Sequence, residues 1–269
     1  MRNKKNILSV ENKKIIIFGS SGLLGNEYVN YLAAQGAFVA ALDIKKDRLK
    51  KKNSNEGNIK YYKCDILKIN NLKNNLKKII KDFGEIDTVV NCSAIDAKFD
   101  NKFKSNQFSN LYKYPTSMWQ RSLDVNLTGA LNISKVFGEF FEVKKKGQII
   151  FIGSNYGLVA PNHSIYNSSK KYKVYKPVDY VVTKFGLIGL MKYLASYYQY
   201  KNIRINMITP CGIETNQSKK FKKKFSQKTL INRMSNIDEF NGALQFLCSD
   251  SSSYMTGSNI VIDGGWTAT

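Results

Sequence analysis

Histidine is nearly missing from this chain: His163 is the only one in 269 residues. That removes the side chain most often used to move protons near neutral pH, and it leaves no imidazole pair to hold a metal. Cysteine is sparse as well. Cys64, Cys92, Cys211 and Cys248 lie far apart, with no C-x-x-C pair. Neither a zinc site nor a disulfide framework is expected, and a reducing compartment fits. No apolar run approaches the length of a membrane span. Met1 to Asn12 is polar and basic and lacks the apolar stretch of a signal peptide. Together these absences predict a soluble, cytoplasmic protein with no metal and no membrane partner.

Acidic residues are the other shortage. Twenty Asp and Glu stand against 42 Lys and Arg, a formal net charge of +22. Such a surplus can mark a nucleic-acid or anionic-membrane binder. No helix-turn-helix, RNP-like or zinc-finger pattern accompanies it, and Lys, Asn and Ile are abundant everywhere. Compositional drift is the simpler account, and nucleic acid is the weaker reading. A basic field still favours an anionic small substrate. The apolar fraction of 43% is enough to bury a sizeable core.

What is present is a regular alternation. Lys14–Phe18, Ala37–Leu42, Ile59–Lys63, Ile86–Asn91, Gln148–Ile152, Asn202–Ile208 and Asn259–Ile262 read as short, uniformly apolar strands. Helical periodicity falls between them, over Asn26–Gln35, Lys45–Lys52, Leu67–Phe83, Met118–Val143, Val178–Tyr200 and Ile237–Cys248. The pattern predicts a single α/β domain spanning residues 1–269, a Rossmann-type doubly wound parallel sheet with helices on both faces. Ala97–Ser117 reads as a polar loop, 161–177 as an irregular insertion, and Asn216–Ser235 as a basic, mobile-looking segment.

Between the first strand and first helix runs Gly19-Ser-Ser-Gly22-Leu-Leu-Gly25. Glycines there let the backbone turn tightly and approach a pyrophosphate, whose charge suits a helix N-terminus. Asp43 closes the next strand, where a carboxylate accepts from ribose hydroxyls and repels a 2′-phosphate. NAD is favoured over NADP on that account, with Lys45 and Lys46 leaving NADP open.

The stretch from Ser154 to Lys184 offers a proton-transfer group without histidine. A Tyr and a Lys four apart share one helical face, and a nearby ammonium favours the phenolate. Three pairs have this spacing: Tyr166/Lys170, Tyr172/Lys176 and Tyr180/Lys184. Asn167-Ser-Ser gives the first a turn-like, helix-poor interior. The second runs into Pro177, which disfavours helix at Lys176. The third starts just after Pro177 and continues into Phe-Gly-Leu-Ile-Gly-Leu-Met, so helix logic selects Tyr180 and Lys184. Tyr166 and Tyr172 then read as loop aromatics on the substrate side.

These motifs, in this order, resemble the short-chain dehydrogenase/reductase family over nearly the whole chain. The resemblance implies a catalytic set of Asn126, Ser154, Tyr180 and Lys184. It implies a cofactor site of Gly19, Ser21, Gly22, Leu24, Gly25, Asp43, Asp65, Ile66, Asn91, Ser93, Ala94, Tyr180, Lys184, Pro210, Gly212, Ile213 and Thr215. In the implied reaction, hydride passes between nicotinamide and a carbinol or carbonyl carbon. Tyr180 exchanges the proton, Ser154 orients the reacting oxygen, Lys184 lowers the Tyr pKa and holds the nicotinamide ribose, and Asn126 anchors a relay water. The resemblance also implies a homodimer or homotetramer, paired through the two long helices. Several positions depart from the family pattern. The middle glycine is at 22, Cys92, Ser93 and Ile95 stand in the Asn-Asn-Ala-Gly region, Cys211 follows Pro210, and the Ser-to-Tyr interval is enlarged.

The enlarged interval is similar to proteins of flagellin modification and of nonulosonic or amino-sugar biosynthesis, which suggests an anionic sugar or sugar nucleotide. Lys170, Lys171, Lys173 and Lys176, with Lys219, Lys220, Lys222, Lys223 and Lys224, are candidates for the substrate rim. A solvated lysine-rich face explains them equally well. Phe99, Phe103, Phe108 and Tyr112 read as aromatics over the site or the sheet edge, and His163 as an incidental loop residue. The alternative function is a catalytically silent binding or regulatory protein on the same scaffold. The intact Ser154/Tyr180/Lys184 set argues against it.

Overall fold

The computed structural model describes residues 6–45, 56–96, 111–166 and 175–268. Seven strands form one parallel sheet: β1 (Lys14–Phe18), β2 (Phe38–Asp43), β3 (Ile59–Lys63), β4 (Thr88–Asn91), β5 (Gly147–Ile152), β6 (Ile203–Pro210) and β7 (Asn259–Ile262). Their spatial order is β3-β2-β1-β4-β5-β6-β7. Consecutive residues of a strand face opposite sides, so a run such as Ile15-Ile16-Ile17 feeds two cores at once. Ile16, Phe18, Val89, Ile149, Phe151 and Met207 bury on one side. Ile15, Ile17, Val90, Ile150 and Ile208 bury on the other. Burial of each such side chain contributes about 1.5–3 kcal/mol against chain entropy, which is why the centre of the sheet is almost wholly β-branched or aromatic.

The described residues form seven α-helices: α1 (Leu23–Ala34), α2 (Ile69–Phe83), α3 (Thr116–Leu123), α4 (Gly129–Lys144), α5 (Val178–Tyr197), α6 (Lys219–Ser226) and α7 (Asn241–Cys248). α2, α4 and α5 pack on the first core through Leu72, Ile79, Phe137, Phe141 and Met191. α1 and α7 close the second through Tyr28, Leu32, Leu244 and Leu247. The direction in which successive strands are added to the sheet reverses at β1, which pairs with both β2 and β4. In a doubly wound sheet that reversal opens a crevice at the carboxyl ends of the strands, the place where ligands bind.

The expected strands are all present, with boundaries shifted by a few residues. Three helical expectations change. The single helix expected over Met118–Val143 is α3 and α4 joined by a π-helical turn, Asp124–Thr128. The basic segment Asn216–Ser235 contains α6, started by Ser218, whose hydroxyl accepts from the Phe221 N–H. The first helix begins at Leu23, three residues earlier than its apolar pattern suggests, because the glycine loop itself runs into it. Most of the helix expected over Lys45–Lys52, and residues 97–110 with Phe99, Phe103 and Phe108, lie outside the described residues. So do Lys170, Lys171, Tyr172 and Lys173.

Candidate active site

A cavity of about 860 Å³ opens at the carboxyl ends of β1, β4, β5 and β6. Gly22, Leu24 and Gly25 form one end of it, Ser154, Tyr180 and Lys184 its middle, and Lys220, Phe221 and Lys224 of α6 its far wall. Ala94, Pro210, Gly212, Ile213 and Thr215 also line it. The strand ends and one eight-residue helix thus enclose most of the residues the sequence nominates.

The glycine loop is shaped by contact with itself and with the neighbouring strand end. Gly19 has a φ of 72°, and a Cβ there would lie 2.7 Å from the Ser93 nitrogen. A Cβ on Gly25 would lie 2.1 Å from the Gly19 carbonyl oxygen. No side chain fits at either position. Gly22 caps α1 in an extended conformation, with no side chain bonded to the first turn and no acidic residue in it. Unbonded N–H groups and a positive helix end therefore face the cavity, as an anionic phosphate requires. Asp43 holds this loop in place: its carboxylate accepts from the Ser21 N–H at 3.0 Å and the Lys45 N–H at 3.0 Å.

Other nominated positions frame the cavity from behind. Asp65 accepts from the Leu67 N–H at 3.0 Å, starting the turn toward α2. The Ile66 carbonyl accepts from Asn132 at 3.1 Å, and its side chain fills the space a Cβ on Gly129 would need. Asn91 accepts from the Ser93 N–H at 3.0 Å, fixing the backbone against which Gly19 rests.

Ser154, Tyr180 and Lys184 meet where β5 faces the first turns of α5. Close packing sets their spacing, since a Cβ on Gly157 would lie 2.7 Å from the Lys184 carbonyl oxygen. Ser154 is buried; its hydroxyl donates to Asn155 Oδ1 at 3.1 Å and accepts from the Tyr156 N–H at 3.2 Å, and it acts on the Tyr180 phenol in favour of the phenolate. Lys184 donates to the Ile152 carbonyl at 2.8 Å, and its Nζ is 5.7 Å from the Tyr180 ring centroid. Burial pushes its ammonium down to about 8, opposed by Cys92 and Asp96 and reinforced by the like charge of Lys176. Tyr180 itself does not show the lowered value expected from a lysine neighbour. Burial first, and Asp96 second, hold its phenol above the ordinary range, with Ser154 pulling the other way. An amine that loses its proton near 8 lends no charge at the pH where such a phenol ionises.

Asn126 sits in the π-helical turn, buried. Its side chain accepts from the Ile95 N–H at 2.8 Å and donates to the Ile95 carbonyl at 3.1 Å and to Thr183 Oγ1 at 3.0 Å. The extra residue of the π turn is what points this amide at both the β4 loop and α5.

The competing tyrosine has partners of its own. Tyr166 ends a short 3-10 turn, donates to the Tyr156 hydroxyl at 2.9 Å and rests against Phe221. It lines the cavity, and burial raises its phenol well above the ordinary range. Lys176 departs further from expectation. It is 9% exposed rather than on a solvated rim, ion-paired with Asp96, with its Nζ 3.8 Å from the centroid of the Tyr180 ring. Tyr112, by contrast, is 95% exposed. Asp96 and Tyr156 were missed from sequence. The only signal was position, Asp96 just beyond Ala94 and Tyr156 just beyond Ser154.

Residues 20–267 match the family model described as enoyl-(acyl carrier protein) reductase. With this fold and this residue set, the chain belongs to the short-chain dehydrogenase/reductase family of oxidoreductases. A short chain dehydrogenase from Leptospira borgpetersenii serovar Hardjo-bovis, solved with bound NAD+, is 30% identical, with 99% of this chain and 97% of that chain covered and a TM-score of 0.82. The 3-oxoacyl-[acyl-carrier-protein] reductase of Thermotoga maritima is 27% identical over 96% of this chain and 99% of its own. Post-translational flagellin modification protein A of Campylobacter coli is 28% identical, again over 96% and 99%.

Proposed function

We propose that this chain is an NAD(P)-dependent oxidoreductase interconverting a carbinol and a carbonyl, with Tyr180 as general acid and base. The observation that carries the reading is the convergence of Ser154, Tyr180 and Lys184 in the cavity beside an uncapped, glycine-lined helix start. That helix start fits a dinucleotide: Gly22, Leu24 and Gly25 would hold its pyrophosphate, and Asp43 its adenosine ribose. The bound nicotinamide would supply the hydride chemistry. The chain's own part is to hold substrate and move a proton. Ser154 donates to the substrate oxygen and fixes it beside the Tyr180 hydroxyl. Tyr180, protonated as it stands, gives its proton to a carbonyl oxygen in reduction and takes it back in oxidation. Lys184 carries its charge at neutral pH and can replenish Tyr180, since burial keeps it near 8.

The Asp43 position favours NAD, and the Leptospira structure solved with NAD+ supports that choice. Lys220 and Lys224 on the wall of the cavity support an anionic substrate, a sugar acid or sugar nucleotide. We further infer a homodimer or homotetramer in the cytoplasm, with Val182 and Phe185 of α5 exposed on the pairing face. Among the described residues no helix is long and apolar enough to cross a membrane. The test is a fluorescence titration of the chain with NADH and NADPH, followed by turnover on a panel of sugar and sugar-nucleotide carbonyls. Tyr180→Phe should bind the dinucleotide as wild type does and lose at least about 100-fold in kcat. Full turnover by that variant would refute the assignment, and equal affinity of wild type and Asp43→Ala for NADH would refute the preference.

A further inference from the structure

The insertion between Ser154 and Tyr180 returns to the fold at Tyr175 and Lys176. His163 fastens this return: its Nδ1 accepts from the Lys176 N–H at 3.3 Å, and its ring meets that of Tyr175 edge-on at 5.0 Å. Pro177 then caps α5. The backbone at 176 is thus tied on both sides, and its side chain points inward. Lys176 Nζ bonds the Asp96 carboxylate, lies 3.8 Å from the Tyr180 ring centroid and 6.0 Å from that of Tyr156. Both members of the ion pair are nearly sealed from solvent, with side-chain exposures of 7% and 12%. A buried pair of this kind rarely contributes much net stability, because desolvation offsets attraction. Its placement on the ring of the proton-transfer tyrosine calls for another account.

We propose that Lys176 is a positioning residue for Tyr180: anchored on Asp96, its ammonium lies on the face of the phenol ring and offsets the carboxylate that would otherwise oppose the phenolate. The inference rests on the reading of Tyr180 as acid and base. A cation over an aromatic face is attracted to its electron density, and more strongly once the ring carries a negative charge. Among the described residues the charged and titratable groups facing Tyr180 are few. Lys184 approaches from its own helix, Asp96 from the β4 loop, Lys176 from the insertion, Tyr156 and Tyr166 from the segment after Ser154, and Cys211 from the end of β6. Among these, Asp96 is the principal charge acting against the phenolate, and Lys176 is its direct partner. Lys176 also bears on Lys184, where it disfavours the ammonium. The insertion therefore adds a charge to the reaction centre itself as well as a wall to the cavity.

The test reads ionisation at position 180 without any substrate. Fluorotyrosine, whose phenol ionises in a lower range, is incorporated at position 180 of the full chain, and its fluorine NMR signal is followed across pH. In Lys176→Met the midpoint should rise by at least about half a unit, since Asp96 loses its ammonium partner beside the ring. In Lys176→Arg it should return toward wild type, and in Asp96→Asn it should fall. The double variant Asp96→Asn/Lys176→Met removes both charges, avoids an orphaned ion and should lie below Lys176→Met. An unmoved midpoint in Lys176→Met, or a rise in Asp96→Asn, overturns the proposal. Because this signal does not depend on turnover, it separates failure here from failure of the catalytic assignment, which the activity of Tyr180→Phe decides.

Discussion

Lys184 is 5% exposed and keeps its ammonium on the Ile152 carbonyl inside the cavity. In the unfolded chain this amine holds its proton up to its ordinary 10.5, and in the fold only to about 8. Between those values the unfolded chain binds more protons, so the stability this group contributes rises with pH across that window. Below about 8 the fold bears the full cost of a buried charge. The difference in urea unfolding free energy between wild type and Lys184→Met should therefore shift in favour of wild type from pH 8 toward 10.5. A difference independent of pH would contradict the buried ammonium.

Among the elements, the π-helical turn between α3 and α4 has the most to lose from one substitution. Asn126 satisfies the Ile95 N–H, the Ile95 carbonyl and Thr183 Oγ1 from a buried position. Thr183 Oγ1 keeps its bond to the Tyr180 carbonyl at 3.1 Å, but Asn126→Ala removes this partner from the Ile95 N–H and carbonyl, at about 1–3 kcal/mol for each buried orphan that finds no water. Calorimetry should show a Tm lower by at least about 2 °C, since that much follows from each kcal/mol in a chain this large. An unchanged Tm would mean the turn is held by packing alone. The sequence shows where such an element falls but not its form: Leu123 to Gly129 reads as uninterrupted helix because a π turn alters only the count of residues per turn. α6 was hidden for a related reason, as its lysines masked a short Phe221/Phe225 apolar stripe. The strands, the glycine loop and the Tyr180 helix were legible because β-branched runs, Gly19 to Gly25 and Pro177 each act locally. The reach of Lys176 across to Asp96 was not legible. Pro177 correctly denied Lys176 a place in the helix, and nothing in local sequence says which way a side chain outside a helix turns.

Taken whole, the molecule carries a surplus of +22. Described surface ion pairs such as Lys13–Asp250, Lys201–Glu142 and Arg233–Glu239 use up acidic partners and leave most lysines to repel one another. Screening reaches about 8 Å at physiological ionic strength, so added salt should relieve this repulsion. Tm measured by scanning calorimetry should rise between low and moderate sodium chloride, and a fall would show that attractive pairs dominate. The same surface bears on the weaker reading of the charge. Retention of duplex DNA at physiological salt, with a steep salt dependence, would bring nucleic acid back as a partner, and its absence would leave the surplus as composition.

The close join between the insertion and α5 has a practical side for protein engineering. Loop exchange between relatives usually places its cut at the helix boundary, which here would be Pro177. Such a chimera would discard the side chain that rests on the Tyr180 ring and take from Asp96 its ammonium partner. A modular swap of this loop must treat positions 96 and 175–176 as one unit, cut before Tyr175 and carry the acid with the base.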